Sequence, residues 1–313
     1  MTDSSGAAAP KAAVEEPRCG FVAVIGAPNA GKSTLVNHLV GSKVTIVSHK
    51  VQTTRVPVRG IVTEGASQII FLDTPGIFKP RRRLDRAMVD AAWSGAGDAD
   101  AVIFLIDAAK GLDEDVERIL TGLERHRGQK LLVLNKVDRL SSKDKLLELV
   151  GALSSRIRFD RVFMVSALTG DGVADLKAYL ASIMPAGPWH FPADDLSDMP
   201  LRQLAAEITR EKIYNRLHEE LPYALTVETT DWKTLKDGSA RIEQTIFVER
   251  ESQRKIVLGK GGAVIKQIST ESRREIAELA GHPVHLFLFV KVREGWGDDP
   301  ERYREMGLDF PKE

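Results

Sequence analysis

Gly26-Ala27-Pro28-Asn29-Ala30-Gly31-Lys32-Ser33-Thr34 fits the pattern G-x-x-x-x-G-K-[ST], with Gly26, Gly31, Lys32 and Ser33 at its fixed places. The pattern also occurs by chance, so its flanks decide the reading. Ahead of it Phe21-Val22-Ala23-Val24-Ile25 is a short apolar run that reads as a buried strand. Behind it Leu35, Val36, Leu39 and Val40 recur at helical spacing. Strand, glycine turn and helix form the arrangement that a phosphate cradle needs, because the N–H groups of the turn and of the helix N-terminus face the anion. Lys32 adds a positive charge for the β- and γ-phosphates, the Ser33 hydroxyl is placed to ligate Mg²⁺, and Thr34 belongs to the same cradle. The alternative, an ordinary βα turn, does not need these flanks.

Composition narrows the rest. A length of 313 residues suggests two domains, and 44 basic against 44 acidic side chains give no net charge. Any nucleic-acid site must therefore be a local patch. Cys19 is the sole cysteine, which excludes an internal disulfide or a thiolate metal cluster and fits a reducing cytosol. No apolar run approaches the roughly 20 residues of a membrane span. Residues 1–17, rich in Ala, Ser and Glu, lack a signal-peptide core and read as a disordered tail.

Downstream, Gln52-Thr53-Thr54-Arg55 reads equally as a strand end or as a loop that gives Mg²⁺ a hydroxyl. Residues 56–62 and 68–72 read as strands, and the second runs into Asp73-Thr74-Pro75-Gly76. There Asp73 is poised to hold Mg²⁺ through water and the Gly76 N–H to meet a γ-phosphate oxygen, although the tetrapeptide alone could be a plain turn. The basic run Lys79-Pro80-Arg81-Arg82-Arg83 reads first as a solvated loop, with a ribose-phosphate contact as the alternative. Helices are expected over 84–93, 114–127, 143–155 and 176–184, and strands over 101–106, 131–134 and 162–165.

The strand at 131–134 ends in Asn135-Lys136-Val137-Asp138, the most discriminating motif of the chain. A carboxylate accepts from guanine N1–H and from its 2-amino group, and adenine offers neither donor there, so Asp138 selects guanine. Asn135 would tie this loop to the phosphate loop, and the Lys136 stem would cover one face of the base. A small Ser166-Ala167 turn would bring a backbone N–H to the guanine oxygen. The alternation of strands and helices predicts an α/β domain with a mainly parallel sheet and ligand motifs at the strand C-terminal ends.

Four prolines between 185 and 200 mark a linker, in which Trp189 and His190 read as packing residues. Beyond it the grammar changes to helix (201–220), two strands (224–229 and 240–248, with 231–239 as the turn), helix (252–258), a glycine turn, helix (263–279) and strand (284–292). Gly259-Lys260-Gly261-Gly262 between two helices matches the clamp of a KH module, in which glycines let an RNA backbone approach closely. Lys255, Lys260, Lys266, Arg273 and Arg274 make the neighbourhood basic. A second phosphate loop is excluded, since no strand precedes Gly259 and no Lys-Ser follows; a ligand-free helix–helix turn is the remaining alternative.

Taken in order, these motifs resemble the Era family of bacterial GTPases from about Phe21 to Leu308. Glu219-Glu220-Leu221-Pro222-Tyr223, Val284-His285-Leu286 and Val290-Lys291-Val292 add to the resemblance. It implies a P-loop GTPase domain (19–184), a linker (185–200), a type II KH domain (201–295) and a C-terminal tail (296–313), with 1–18 as the N-terminal tail. It also implies GTP hydrolysis, binding to the 3′ end of 16S ribosomal RNA, and a role in assembly of the 30S subunit. A cytoplasmic location with peripheral contact to the inner membrane is implied too, and a monomer is expected. Of the two threonines, Thr54 is the Mg²⁺ ligand by this resemblance, because it directly precedes Arg55. Lys32, Thr54, Asp73 and Gly76 are then the catalytic set. Ile77 stands where Ras-like proteins carry a water-positioning glutamine, and Asn29 where related GTPases help to hold K⁺. Two other readings are a GTP-binding factor without appreciable turnover and a GTPase of tRNA modification, against which the glycine clamp argues.

Overall fold

The computed structural model describes residues 16–140, 142, 144–217, 225–295 and 298–311. The first fifteen residues and Glu219-Glu220-Leu221-Pro222-Tyr223 lie outside them. The N-terminal half is one sheet built from β1 (Arg18–Ile25), β2 (Val58–Glu64), β3 (Ser67–Asp73), β4 (Ala101–Asp107), β5 (Gln129–Asn135) and β6 (Arg161–Met164). The strand order is β2-β3-β1-β4-β5-β6. Only the β2–β3 pair is antiparallel, as its short turn requires. Every residue of β3 and β4 is buried, which explains the unbroken apolar runs: helices cover both faces.

On one face α1 (Lys32–Val40) and α5 (Val173–Ile183) pack Leu35, Leu39, Leu176 and Leu180 against Val22, Val24 and Ile103. On the other, α2 (Arg83–Gly97), α3 (Glu114–Leu123) and α4 (Asp144–Ser154) pack Ala92, Ile119 and Leu149 against Ala23, Phe104 and Leu132. α3 is shorter than its sequence suggests. After Leu123 the chain turns, with Arg125 N bonded to Gly122 O and His126 N to Leu123 O.

The proline-rich stretch is laid along the sheet. Ile61 N donates to Leu196 O (2.9 Å), and the buried amide of Gln68 is bonded to His190 and Phe191. Trp189 Nε1 donates to Ala66 O (3.0 Å). The strap thus covers the outer edge of β2, which would otherwise be an open strand edge.

The C-terminal half runs α6 (Leu201–Arg216), β7 (Leu225–Thr234), β8 (Ala240–Val248), α7 (Glu251–Leu258), α8 (Ala263–Ala280) and β9 (Val284–Val292). β7 and β8 are antiparallel, β8 and β9 parallel. The expected turn at 231–239 is corrected: β7 continues to Thr234, because a bulge between Thr229 and Asp231 absorbs the register change and returns Trp232 to a place opposite Ile242. The stretch read as a C-terminal tail contains a helix, α9 (Pro300–Glu305), beyond which Leu308 is buried. Tyr303 and Leu308 pack on Leu84, Ala87 and Met88 of α2. Among the described residues no helix is long and apolar enough to cross a membrane.

Candidate functional site

The ends of β1, β3, β4 and β5 bring the sequence motifs together on one edge of the sheet. Gly31 adopts φ 102°, and a Cβ there would lie 2.3 Å from Asn135 Nδ2. At Gly26 a Cβ would lie 2.4 Å from Leu105 O. These contacts explain why the loop needs glycine at both places. Lys32 is buried and its Nζ donates to Gly26 O (3.2 Å) and Ala27 O (3.1 Å) across the loop. Burial pushes its ammonium down to about 8, against the pull of Asp73. An anion in the loop would balance that charge.

Asp73 is fully buried, and three hydroxyls converge on its Oδ2: Ser33 at 2.7 Å, Thr45 at 2.9 Å and Thr54 at 3.3 Å. Ser33 Oγ and Thr54 Oγ1 are themselves 2.9 Å apart. Burial raises the carboxyl's pKa, and the hydrogen bond from Ser33 chiefly opposes this. Asp73 Oδ1 is buried with no hydrogen-bond partner among the described residues. An orphaned carboxylate oxygen beside two hydroxyls is an all-oxygen donor set that suits Mg²⁺, which keeps waters and phosphate oxygens as its other ligands. Thr45 is the member that the sequence did not single out, since it lies between Val44 and Ile46 with no motif to mark it.

Gly76 lies against the loop, where an added Cβ would stand 3.0 Å from Pro28, and Ile77 N donates to Gly26 O (3.1 Å). The Ile77 side chain is fully buried, packed in the core with Ala23 and Ile25. It neither carries a polar group nor faces the loop cavity.

At the end of β5 Asn135 Nδ2 donates to Ala30 O (2.8 Å), and Asn135 Oδ1 accepts from Ala167 N (2.9 Å). The Ala167 amide therefore holds the motif together in this structure. Ser166 is buried and its Oγ accepts from Thr169 N. Lys136 Nζ donates to Asn29 O (2.7 Å) and pairs with Asp107 (2.6 Å). Asp138 is exposed and has no partner among the described residues, which leaves its carboxylate open to a ligand. Asn29 Nδ2 donates to His49 O (2.9 Å), tying the phosphate loop to the segment that closes over it.

That segment, residues 43–55, is held from the C-terminal half by α6, a connection without any local signal in the sequence. Arg210 Nη2 donates to Thr53 O (2.6 Å), and Val47 N donates to Glu211 Oε1 (2.8 Å). Arg55 reaches Tyr214 Oη (3.0 Å) and Leu225 O (2.8 Å). Residues 46–54 lie so close to the loop that the cavity between them is only about 60 Å³. Cavities of about 880 and 420 Å³ lie between the two halves. Chemistry rather than size marks the site.

In the C-terminal half Gly259, Gly261 and Gly262 all take positive φ between α7 and α8. Around Gly261 nothing lies within 4 Å of where a Cβ would stand. Lys255, Lys260, Lys266, Arg273 and Arg274 are exposed, and Ile256, 54 % exposed, presents an apolar surface beside the turn. Open backbone, lysines and an uncovered apolar side chain suit a single-stranded nucleic acid.

Fold and sites define a guanine-nucleotide-binding P-loop protein joined to a KH module. The sequence model of the family described as 50S ribosome-binding GTPase matches residues 21–136, and that of the KH domain matches residues 220–297. The chain is 68 % identical over 298 residues to GTPase Era of Bradyrhizobium sp. strain BTAi1, covering 95 % of this chain and 96 % of that one. It is 64 % identical over 295 residues to GTPase Era of Rhizobium meliloti, covering 94 % of each. A crystal structure of Era in complex with MgGDPNP and nucleotides 1506–1542 of 16S ribosomal RNA superposes with a TM-score of 0.87 at 36 % identity, over 93 % of this chain and 99 % of that chain. An Aquifex aeolicus Era variant bound to GDP and AlF4⁻ gives the same TM-score, identity and coverage. The chain belongs to the Era family of GTPases.

Proposed function

We propose that this chain binds and hydrolyses GTP, holds the 3′ end of 16S ribosomal RNA, and uses its nucleotide state to gate that RNA during 30S assembly. The observation that carries the nucleotide half is the wiring of Asn135 to Ala30 O, which fixes the exposed, unpartnered Asp138 relative to the phosphate loop.

In this reading Gly26, Gly31, Lys32, Ser33 and Thr34 cradle the phosphates. Asp138 reads guanine N1–H and the 2-amino group, Lys136 covers the base, and Ser166 and Ala167 brace the strand end. Ser33, Thr54 and Asp73 would hold Mg²⁺, and the bound ion would supply positive charge beside the β- and γ-phosphates. Water attacks the γ-phosphorus in line, the bond to the bridging oxygen breaks, and GDP leaves with the electron pair. The chain contributes position and charge: Lys32 faces the developing charge, Gly76 offers its N–H to a γ-oxygen, and Thr54 anchors the closing segment. With Ile77 in the core, backbone groups of the segments around the loop place the water, and Asn29 would help to hold K⁺ where that ion binds. Lys255, Gly259, Lys260, Gly261, Gly262 and Lys266 grip the RNA backbone. The protein works as a cytoplasmic monomer with peripheral contact to the inner membrane.

The test pairs two assays on the full chain: single-turnover GTP hydrolysis with and without a 16S 3′-end oligonucleotide, and RNA binding by anisotropy. Lys260→Asp with Gly261→Asp should abolish RNA binding and leave GTP binding intact, since both positions are exposed. Undiminished RNA affinity would move the RNA site elsewhere, and absence of turnover under either condition would leave a binding factor instead.

A further inference from the structure

Lys50 lies in the segment that closes over the phosphate loop. Its stem is partly exposed, but its Nζ is shielded from solvent and has no hydrogen-bond partner among the described residues. It lines the same cavity as Gly31, Lys32, Ser33, Thr54 and Gly76. The two lysines of the recognised motifs differ from it: Lys32 is bonded to two carbonyls, and Lys136 to a carbonyl and a carboxylate.

The backbone around Lys50 is held in place without help from its ammonium. Lys50 N donates to Ser48 Oγ (3.2 Å), and Thr53 Oγ1 donates to Lys50 O (2.7 Å), so the turn is closed by its own hydroxyls. A neutral side chain would suit that turn equally well. An ammonium there is unfavourable, because a buried cation without an acceptor loses hydration and gains nothing. Burial accordingly pushes its pKa down. A charge kept at such a cost implies an anion that arrives later, and the anion that this cavity takes is a phosphate.

We propose that Lys50 is a second phosphate-binding cation, a catalytic residue that the closing segment delivers to the γ-phosphate of bound GTP. This rests on the GTP reading above. The γ-phosphate is favoured over the α because Lys50 shares its segment with Thr54, which touches Ser33 and lies at the Asp73 end of the loop. In the displacement Lys50 transfers no proton: its ammonium neutralises charge on the γ-oxygens while the water–phosphorus bond forms and the bond to GDP breaks. It couples closure of the segment to the presence of the third phosphate.

The test uses Lys50→Met, of similar length and uncharged, and Lys50→Arg, in the full chain. Nucleotide-free Lys50→Met should melt a few degrees above wild type, since it removes an unpartnered charge. It should bind GDPNP about tenfold more weakly with GDP affinity little changed, and hydrolyse bound GTP roughly a hundredfold more slowly. Lys50→Arg should recover most of both. Wild-type binding and turnover in Lys50→Met would overturn the proposal, and so would equal losses for GDP and GDPNP together with a lower melting temperature, which mark a structural lysine. Wild-type protein that binds neither nucleotide would sink the GTP reading and this one with it.

Discussion

Arg210, on the first helix of the KH half, donates from Nη2 to the carbonyl oxygen of Thr53, the residue before the hydroxyl that meets Asp73. One guanidinium thus spans the two halves and fixes the backbone next to Thr54, the threonine proposed to hold Mg²⁺. Glu207 pairs with it, and this more than offsets the cost of burial, so the arginine stays charged. Arg210→Met should lower stability by roughly 2 kcal/mol, less than a fully buried pair because Glu207 is partly exposed. It should also raise the Mg²⁺ concentration needed for half-maximal hydrolysis several-fold. Urea denaturation and a Mg²⁺ titration of single-turnover rates measure the two. An unchanged Mg²⁺ requirement would show that the contact only holds the halves together.

Asp138 is exposed on a short 3-10 turn at the end of β5, so its side chain contributes little to folding. Asp138→Asn should retain the wild-type melting temperature and shift preference from guanosine to xanthosine nucleotides, whose 2-oxo group accepts from an amide. Competition binding would show a reversal of at least about a hundredfold, the scale set by a buried unpaired charge. Unaltered GTP preference would remove Asp138 from the base site.

Thr54 and Ile77 separate chemistry from packing. Thr54→Ala removes a hydroxyl from the Asp73 cluster and should slow single-turnover hydrolysis by about two orders of magnitude, with a stability loss near 1 kcal/mol. Ile77→Ala opens a hole in a fully buried place and should cost about 2–4 kcal/mol, with hydrolysis only modestly changed under folded conditions. The opposite pattern, with Ile77→Ala inactive and Thr54→Ala near normal, would invert this account of the site.

Glu275 of α8 is bonded to both Lys43 and Lys212, and Lys43 also reaches Glu211 at 2.7 Å. Burial works against its charge, but the hydrogen bonds from Lys212 and Lys43 prevail and hold its carboxyl below the ordinary value. A lowered folded value means that the contribution is complete above the unfolded pKa, near 4.5, and is lost as pH falls through the folded one. Glu275→Gln should therefore be about 1 kcal/mol less stable than wild type at pH 7, discounted for partial exposure, and equal to it once the wild-type carboxyl is protonated. Denaturation series between pH 3 and 7 check this; a difference that persists at the acid end would assign the effect to packing.

The nucleotide half was largely legible because its chemistry is local. Each strand end carries its motif within a few residues, and unbroken apolar runs mark strands covered on both faces. Thr45 was not legible: its partner Asp73 is close in space and distant in the chain, and a threonine between two aliphatic residues resembles any strand. Arg210, Glu211 and Tyr214 were hidden for a related reason. They lie on a helix whose apolar spacing reads as one buried and one solvated face, and nothing in that periodicity says that its polar side meets residues 43–55 of the other half. The strand end at Thr234 was obscured by the bulge, which breaks the two-residue alternation that reveals strands.

Tyr303 and Leu308 are translated long after α2, the helix on which they pack. Until those residues arrive, Leu84 and Met88 lack part of the apolar cover that buries them. The nucleotide half can close its own sheet early, yet its surface there is finished only when the C-terminal residues have left the ribosome. A released chain truncated before residue 300 would keep the residues of both sheets and lack the side chains that complete this cluster.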